Sequence, residues 1–196
     1  MENAKYKAII FDFFGVISSE VAPRWFKKHL PQEDLLELRK KYLQPADRGE
    51  ISTEQLFSQL SKLVPITPEN IRQEWLELAV IGNDMIEIVR KLKDHYKLAI
   101  LSDSQSSFFR EIIKTHDLEH LFNTIIVSSE INMTKANIET FTFALNTLGV
   151  KPEETIFTDD NAANVARAQS LGITGLVFSD QAQLKSDLSK LGISLS

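Results

Sequence analysis

Five short runs along the chain are almost continuously apolar: Ala8 to Phe14, Lys97 to Leu101, Thr124 to Val127, Thr155 to Thr158 and Gly175 to Phe178. Continuous rather than alternating hydrophobicity predicts strands covered on both faces, as in a parallel sheet. Between these runs the pattern shifts to the helical period. In Asn137 to Leu148, the residues Ile138, Phe141, Ala144, Leu145 and Leu148 share one face before Gly149 stops the helix. Ala162 to Leu171, followed by Gly172, repeats the arrangement. Strands alternating with helices across short links predict a doubly wound α/β fold, in which ligands bind outside the carboxyl ends of the strands.

The alternation fails from about Ser18 to Ile81, where only helical periodicity is found. Within this segment Ser52-Thr53-Glu54-Gln55 reads as a capping box, and Thr67-Pro68 as an N-cap with proline at the first helical position. We therefore expect residues 1–17 and 82–196 to form the α/β core and residues 18–81 to be inserted as a helical cap. Trp25, Phe26, Tyr42, Phe57 and Trp75 are expected to build the cap's small core, because an insertion of this size must bury apolar surface to stay folded. Links near Ser18 and Gly82 would let the cap close over the core.

Composition changes this picture mainly by exclusion. The 196 residues are 43% hydrophobic and 25% charged, with a net charge of −5 and no basic stripe, so no nucleic-acid partner is expected. The absence of cysteine removes disulfides and thiolate metal sites, and fits a reducing compartment. A polar N-terminal stretch and the lack of any apolar run long enough for a bilayer give the expectation of a cytoplasmic protein with no membrane partner.

The residues that carry chemistry fall at predicted strand ends. Asp12 closes the first run, Ser102 and Asp103 follow the second, Lys135 lies just after the third, and Asp159-Asp160 end the fourth. An unpaired carboxylate is costly to bury, so Asp12 is expected at an exposed tip, pointing into a site. In a parallel sheet these ends share one edge. Carboxylates meeting a lysine and a hydroxyl predict a hard divalent cation held through oxygen, magnesium rather than zinc, beside a bound phosphoryl group. The histidines His29, His95, His116 and His120 lack metal-ligand spacing and are expected to be structural or exposed.

Four segments in order carry a family resemblance: Phe11-Asp12-Phe13-Phe14-Gly15-Val16-Ile17; Leu101-Ser102-Asp103; Ser128-Ser129-Glu130 running to Lys135 and Phe141; and Ile156-Phe157-Thr158-Asp159-Asp160-Asn161 with Asn164, Ala168 and Leu171-Gly172. Together they resemble the haloacid dehalogenase superfamily of hydrolases over nearly the whole chain. Arg48-Gly49-Glu50-Ile51-Ser52 resembles the matching stretch of its small-cap subgroup, which includes phosphatases of sugar phosphates such as α-D-glucose 1-phosphate. The resemblance implies that Asp12 attacks phosphorus to form an aspartyl-phosphate, and that Ser102, Asp103 and Lys135 bind the phosphoryl group. It also implies that Asp12, Asp159, Asp160 and the backbone carbonyl of Phe14 hold Mg2+. Arg48 is the expected cap contact to substrate, with Arg24, Lys27, Lys28, His29 and Glu50 as further candidates for specificity. The implied substrate is a small phosphorylated metabolite, most simply a sugar phosphate.

One departure bears on mechanism. Phosphatases of this superfamily usually carry a second aspartate where this chain has Phe14, and phenylalanine cannot protonate a leaving group. General acid catalysis is worth roughly 10²- to 10⁴-fold, so its loss slows turnover without removing every source of acceleration. An acid from the cap, or a good leaving group, would fill the gap. A second departure is Ala136, where a proline commonly follows the lysine. Two other readings stay open: a 2-haloacid dehalogenase using Asp12 against carbon without a metal, and a silent member that binds a phosphorylated ligand or a protein. The adjacent acids Asp159 and Asp160 count against the dehalogenase, since they would repel a carboxylate nucleophile with no cation between them.

Overall fold

Five parallel strands, β1 (Ala8–Phe11), β2 (Lys97–Ser102), β3 (Thr124–Val127), β4 (Thr155–Asp159) and β5 (Thr174–Val177), form one sheet in the order β3-β2-β1-β4-β5. The structure is a computed structural model and describes residues 5–195. Along β1 the side chains alternate between two apolar clusters, Ile9 and Phe11 on one face and Ala8 and Ile10 on the other. Helices cover both faces, which is why the strands read as continuous apolar runs. Phe11 is level with Ile100 on β2 and Thr158 on β4, so Asp12 leaves the sheet beside Asp159.

The expected strands lie where the pattern puts them, with corrected ends. β1 stops at Phe11 rather than Phe14. The Phe13 N–H donates to Asp12 Oδ1 at 2.6 Å, and the Phe13 carbonyl accepts from Ile17 and Ser18 N–H at 2.9 and 2.8 Å, so these backbone groups close a turn instead of a ladder. Ser102 belongs to β2 and Asp159 to β4, while β5 begins one residue earlier and excludes Phe178. The helix expected from Asn137 spans Ile138–Leu148 and ends at Gly149, whose φ of 63° is left-handed. The helix after β4 spans Ala162–Ser170.

Between β1 and the helix Asn83–Lys93 the chain is helical: Ala22–His29, Leu35–Leu38, a π turn Arg39–Leu43, Gln44–Asp47, Thr53–Leu60 and Pro68–Leu78. The capping box forms, with Ser52 Oγ accepting from Gln55 N at 3.2 Å and Gln55 Oε1 from Ser52 N at 2.7 Å. Thr67 Oγ1 likewise accepts from Asn70 N at 3.3 Å. The π turn has a local cause. Pro45 has no N–H and its ring crowds the preceding turn, and just before it Gln44 N–H reaches back to the Arg39 carbonyl.

Trp25, Phe26, Tyr42, Phe57 and Trp75 are buried as expected. They do not form a core of their own. Phe57 and Trp75 meet Phe108, on the helix Ser106–Thr115, edge-on at 6.2 and 5.6 Å between centroids, so one apolar cluster continues from the sheet into the helical segment. The two links are hydrogen-bonded to each other, Ser19 N to Val80 O at 2.9 Å and Gly82 N to Ile17 O at 3.0 Å. Among the described residues no helix is long and apolar enough to cross a membrane.

Candidate active site

The centre of the site is a lysine between two carboxylates. Lys135 Nζ lies 2.7 Å from Asp12 Oδ2 and 2.7 Å from Asp159 Oδ2, and all three side chains are buried. This corrects the expectation of an exposed Asp12: the residue is 7% exposed, and Lys135 compensates its carboxylate. Asp159 also accepts from Asn161 N at 2.7 Å and from Asn164 Nδ2 at 3.1 Å, while Lys135 N donates to Asp103 Oδ1 at 2.8 Å. Lys135 is thus held from the turn after β2, and Asp159 from the turn that follows its own strand. Burial pushes the Asp12 carboxyl well above its ordinary range, against the pull of Lys135 and with the push of Asp159. Burial would also favour neutral Lys135, but Asp12, Asp159 and Asp103 together hold its ammonium more firmly charged than usual.

Asp160 completes an acidic cluster. Asp12, Asp159 and Asp160 each offer an oxygen atom, all within 4.8 Å of one another. Three carboxylates against one ammonium leave an excess of negative charge, and burial followed by the charge of Asp159 raises the Asp160 carboxyl above its usual range. Gly15 makes the close approach of Asp160 possible. Its φ is 87°, and a Cβ there would stand 2.3 Å from Asp160 Oδ2. No described residue donates a hydrogen bond to the Phe14 carbonyl. An all-oxygen donor set with surplus charge fits Mg2+.

Above this cluster lies a cavity of about 360 Å³. Asp12, Asp160, Lys135 and Asp103 line its polar side, and Phe14, Phe108 and Trp75 an aromatic side. The Phe14 ring stacks on Phe108 at 6.3 Å and 9° and meets Phe109 edge-on at 6.3 Å. The helical segment contributes Glu20, Arg39, Asp47 and Arg48. Ser102 is not brought to the cavity. It is wholly buried at the end of β2, its hydroxyl without a partner among the described residues, and the adjoining Asp103 and Ser104 line the space instead. Arg48 reaches the cavity but is held by Glu50 through two hydrogen bonds of 2.6 and 3.1 Å. Arg24, Lys27, Lys28 and His29 lie outside it; Lys28 and His29 bond to Glu74, and Arg24 to Ser19 Oγ and the Leu78 carbonyl.

Sequence reasoning missed Glu20, Arg39, Asp47 and Gln105. Burial raises Glu20, with Asp160 adding to the effect. Burial and then the charge of Asp103 raise Asp47 to about 7, against the hydrogen bond from Gln105 and the charges of Arg39 and Lys135. The one available signal was position, since Asp47 immediately precedes the Arg48-to-Ser52 stretch.

A carboxylate directly after the central strand, a lysine from the β3–β4 crossover and an acid pair at the end of β4 thus meet at one cavity. Residues 9–178 match the family described as haloacid dehalogenase-like hydrolase, and the chain belongs to that family. Over 183 residues it is 25% identical to the sesquiterpene phosphatase astK of Aspergillus oryzae, covering 89% of this chain and 91% of that one. Over 185 residues it is 28% identical to the D-ribitol-5-phosphate phosphatase of Bacteroides thetaiotaomicron, covering 85% and 88%. Its fold matches a mutant of the HAD family enzyme bt-2542 from Bacteroides thetaiotaomicron, solved in complex with magnesium and inorganic phosphate. That match has a TM-score of 0.75 at 21% identity over 91% of this chain and 98% of the other.

Proposed function

We propose that this hydrolase is a magnesium-dependent phosphatase of small phosphorylated metabolites, acting through an aspartyl-phosphate on Asp12. The observation that carries the reading is the buried Asp12–Lys135–Asp159 network with Asp160 beside it, facing an open cavity. In this reading residues 18–81 are the cap and residues 1–17 and 82–196 the core. Asp12, Asp159, Asp160 and the Phe14 carbonyl would hold Mg2+, which supplies positive charge to the phosphoryl oxygens and relieves the repulsion among the three acids.

One oxygen of Asp12 attacks phosphorus while Lys135 fixes the carboxylate and neutralises charge on the transferred group. Asn164 and the Asn161 N–H keep Asp159 oriented toward Lys135. Water then attacks the phosphorus of the aspartyl-phosphate and returns Asp12. A loose phosphoryl-transfer transition state leaves positioning and charge neutralisation as the main terms, and these residues supply both. The relative named for ribitol 5-phosphate supports a sugar or polyol phosphate as substrate, with Arg48 and Asp103 as polar contacts. The aromatic side of the cavity would take the less polar part of such a molecule.

The acidic cluster argues against metal-free attack on carbon, because Asp159 and Asp160 beside Asp12 carry more negative charge than the one ammonium of Lys135 offsets. The test is phosphate release from a panel of sugar and polyol phosphates and an aryl phosphate, with and without Mg2+. Turnover should require Mg2+ and disappear in Asp12→Asn. Metal-independent chloride release from a 2-haloacid, with no phosphate release, would replace this reading with the dehalogenase.

A further inference from the structure

Phe14 leaves one task unfilled, since its ring packs on Phe108 and Phe109 and has no proton to give. In an in-line displacement the leaving group departs opposite Asp12, toward the side of the cavity formed by the helical segment. Two carboxyls of that segment line the cavity, Glu20 and Asp47. Glu20 feels Asp160 and Asp159, on the side of the acidic cluster. Asp47 is held differently. Its Oδ1 accepts from Gln105 Nε2 at 2.5 Å, and its backbone carbonyl accepts from Ser128 Oγ at 2.6 Å. Ser128 Oγ in turn accepts from Ser104 N at 2.9 Å. The turns after β2 and β3 thus grip both the side chain and the backbone of one cap carboxyl. No described residue bonds to Asp47 Oδ2, which leaves that oxygen to a ligand.

We propose that Asp47 is the catalytic acid that protonates the leaving oxygen, standing in for the residue that Phe14 replaces. The assignment rests on the phosphatase reading. As Asp12 forms its bond to phosphorus, the ester P–O bond breaks, its electron pair stays on the ester oxygen, and the Asp47 proton completes the alcohol. Asp47, now a carboxylate, takes a proton from the water that attacks the aspartyl-phosphate, and the cycle closes with Asp12 and inorganic phosphate. Asp103, Lys135 and Arg39 are the charged groups facing Asp47. Of the others on neighbouring elements, Arg48 is engaged by Glu50 and Glu130 by Arg110, while Lys40 and Lys41 are exposed. A carboxyl brought up to about 7 exchanges a proton near neutral pH, as an acid that must also serve as a base requires.

The experiment compares kcat/KM of wild type and Asp47→Asn, both with Mg2+, on an alkyl ester (ribitol 5-phosphate) and an ester with an acidic leaving group (nitrophenyl phosphate). This ratio reports steps through release of the alcohol. Asp47→Asn should lose about 10²- to 10³-fold on the alkyl ester and less than about tenfold on the aryl ester. The alkaline limb of the alkyl pH profile should vanish in Asp47→Asn, and Asp47→Glu should recover part of the alkyl rate. Equal losses on both esters, no loss on the alkyl ester, or the selective loss appearing in Glu20→Gln instead would overturn the assignment while the phosphatase reading stands. Wild-type failure on both esters would overturn the reading and the assignment together. Chemical denaturation of each variant separates loss of fold from loss of rate.

Discussion

The surroundings of Asp47 set its proton affinity. Its carboxyl is raised from 3.8 to about 7 in the folded protein, by burial first and Asp103 second. Because the folded state binds this proton more tightly than the unfolded chain, stability is fully present below pH 3.8 and is lost as pH rises through about 7. Asn cannot charge and keeps the oxygen that accepts from Gln105. Asp47→Asn should therefore match wild type in urea denaturation near pH 4 and gain on it toward pH 8, by on the order of 1–3 kcal/mol. A constant difference across that range would contradict the placement of this carboxyl. Asp12, Asp159 and Asp160 are legible in the sequence because they close apolar runs, and Lys135 only through its place in the ordered set of segments. Asp47 is not, since Gln105 lies 58 positions away and Ser128 lies 81 away. Ser102 shows the converse, a strand-end hydroxyl whose side chain turns out to be wholly buried.

At the scale of elements, the turn after β1 does the positioning. It reverses at Gly15, where both the left-handed φ and the approach of Asp160 require the absence of a side chain. Gly15→Ala should lower stability by about 1–2 kcal/mol through the backbone alone and displace Asp160. Mg2+ affinity measured by calorimetry should then fall at least about tenfold, because the displaced Asp160 carboxylate no longer reaches the other two acids. Unchanged Mg2+ binding would remove Asp160 from the metal site. The strand pattern located all five strands but overran β1, because Phe13 and Phe14 continue the apolar run while packing on Phe109 and Phe108 rather than pairing. The π turn Arg39–Leu43, which brings Arg39 to the cavity, has no signature in the helical periodicity of this segment.

For the molecule as a whole, the sequence distinguished an alternating α/β part from a helical part, and the sheet order bears out the doubly wound fold. Periodicity identifies which face of a helix is apolar but not what covers it. Hence the pattern alone predicts a separate core for the aromatic residues of the helical segment, whereas Phe57 and Trp75 share Phe108 with the sheet side. Closure of this segment would have to flex two mutually hydrogen-bonded links and slide these rings over Phe108. The cavity is built at that junction, so residues distant in sequence, such as Glu20, Asp47, Asp103 and Lys135, line one space. In the proposed reaction Asp12 takes the phosphoryl group onto itself before water removes it. This step is tested most directly by acid-quenching single turnovers of a phosphate ester carrying a labelled phosphoryl group, with Mg2+, and mapping the label. The account predicts a transient phosphoryl group on the peptide containing Asp12, formed and lost at rates that support turnover and absent in Asp12→Asn. Turnover with no label on that peptide, or label on another residue, would contradict it.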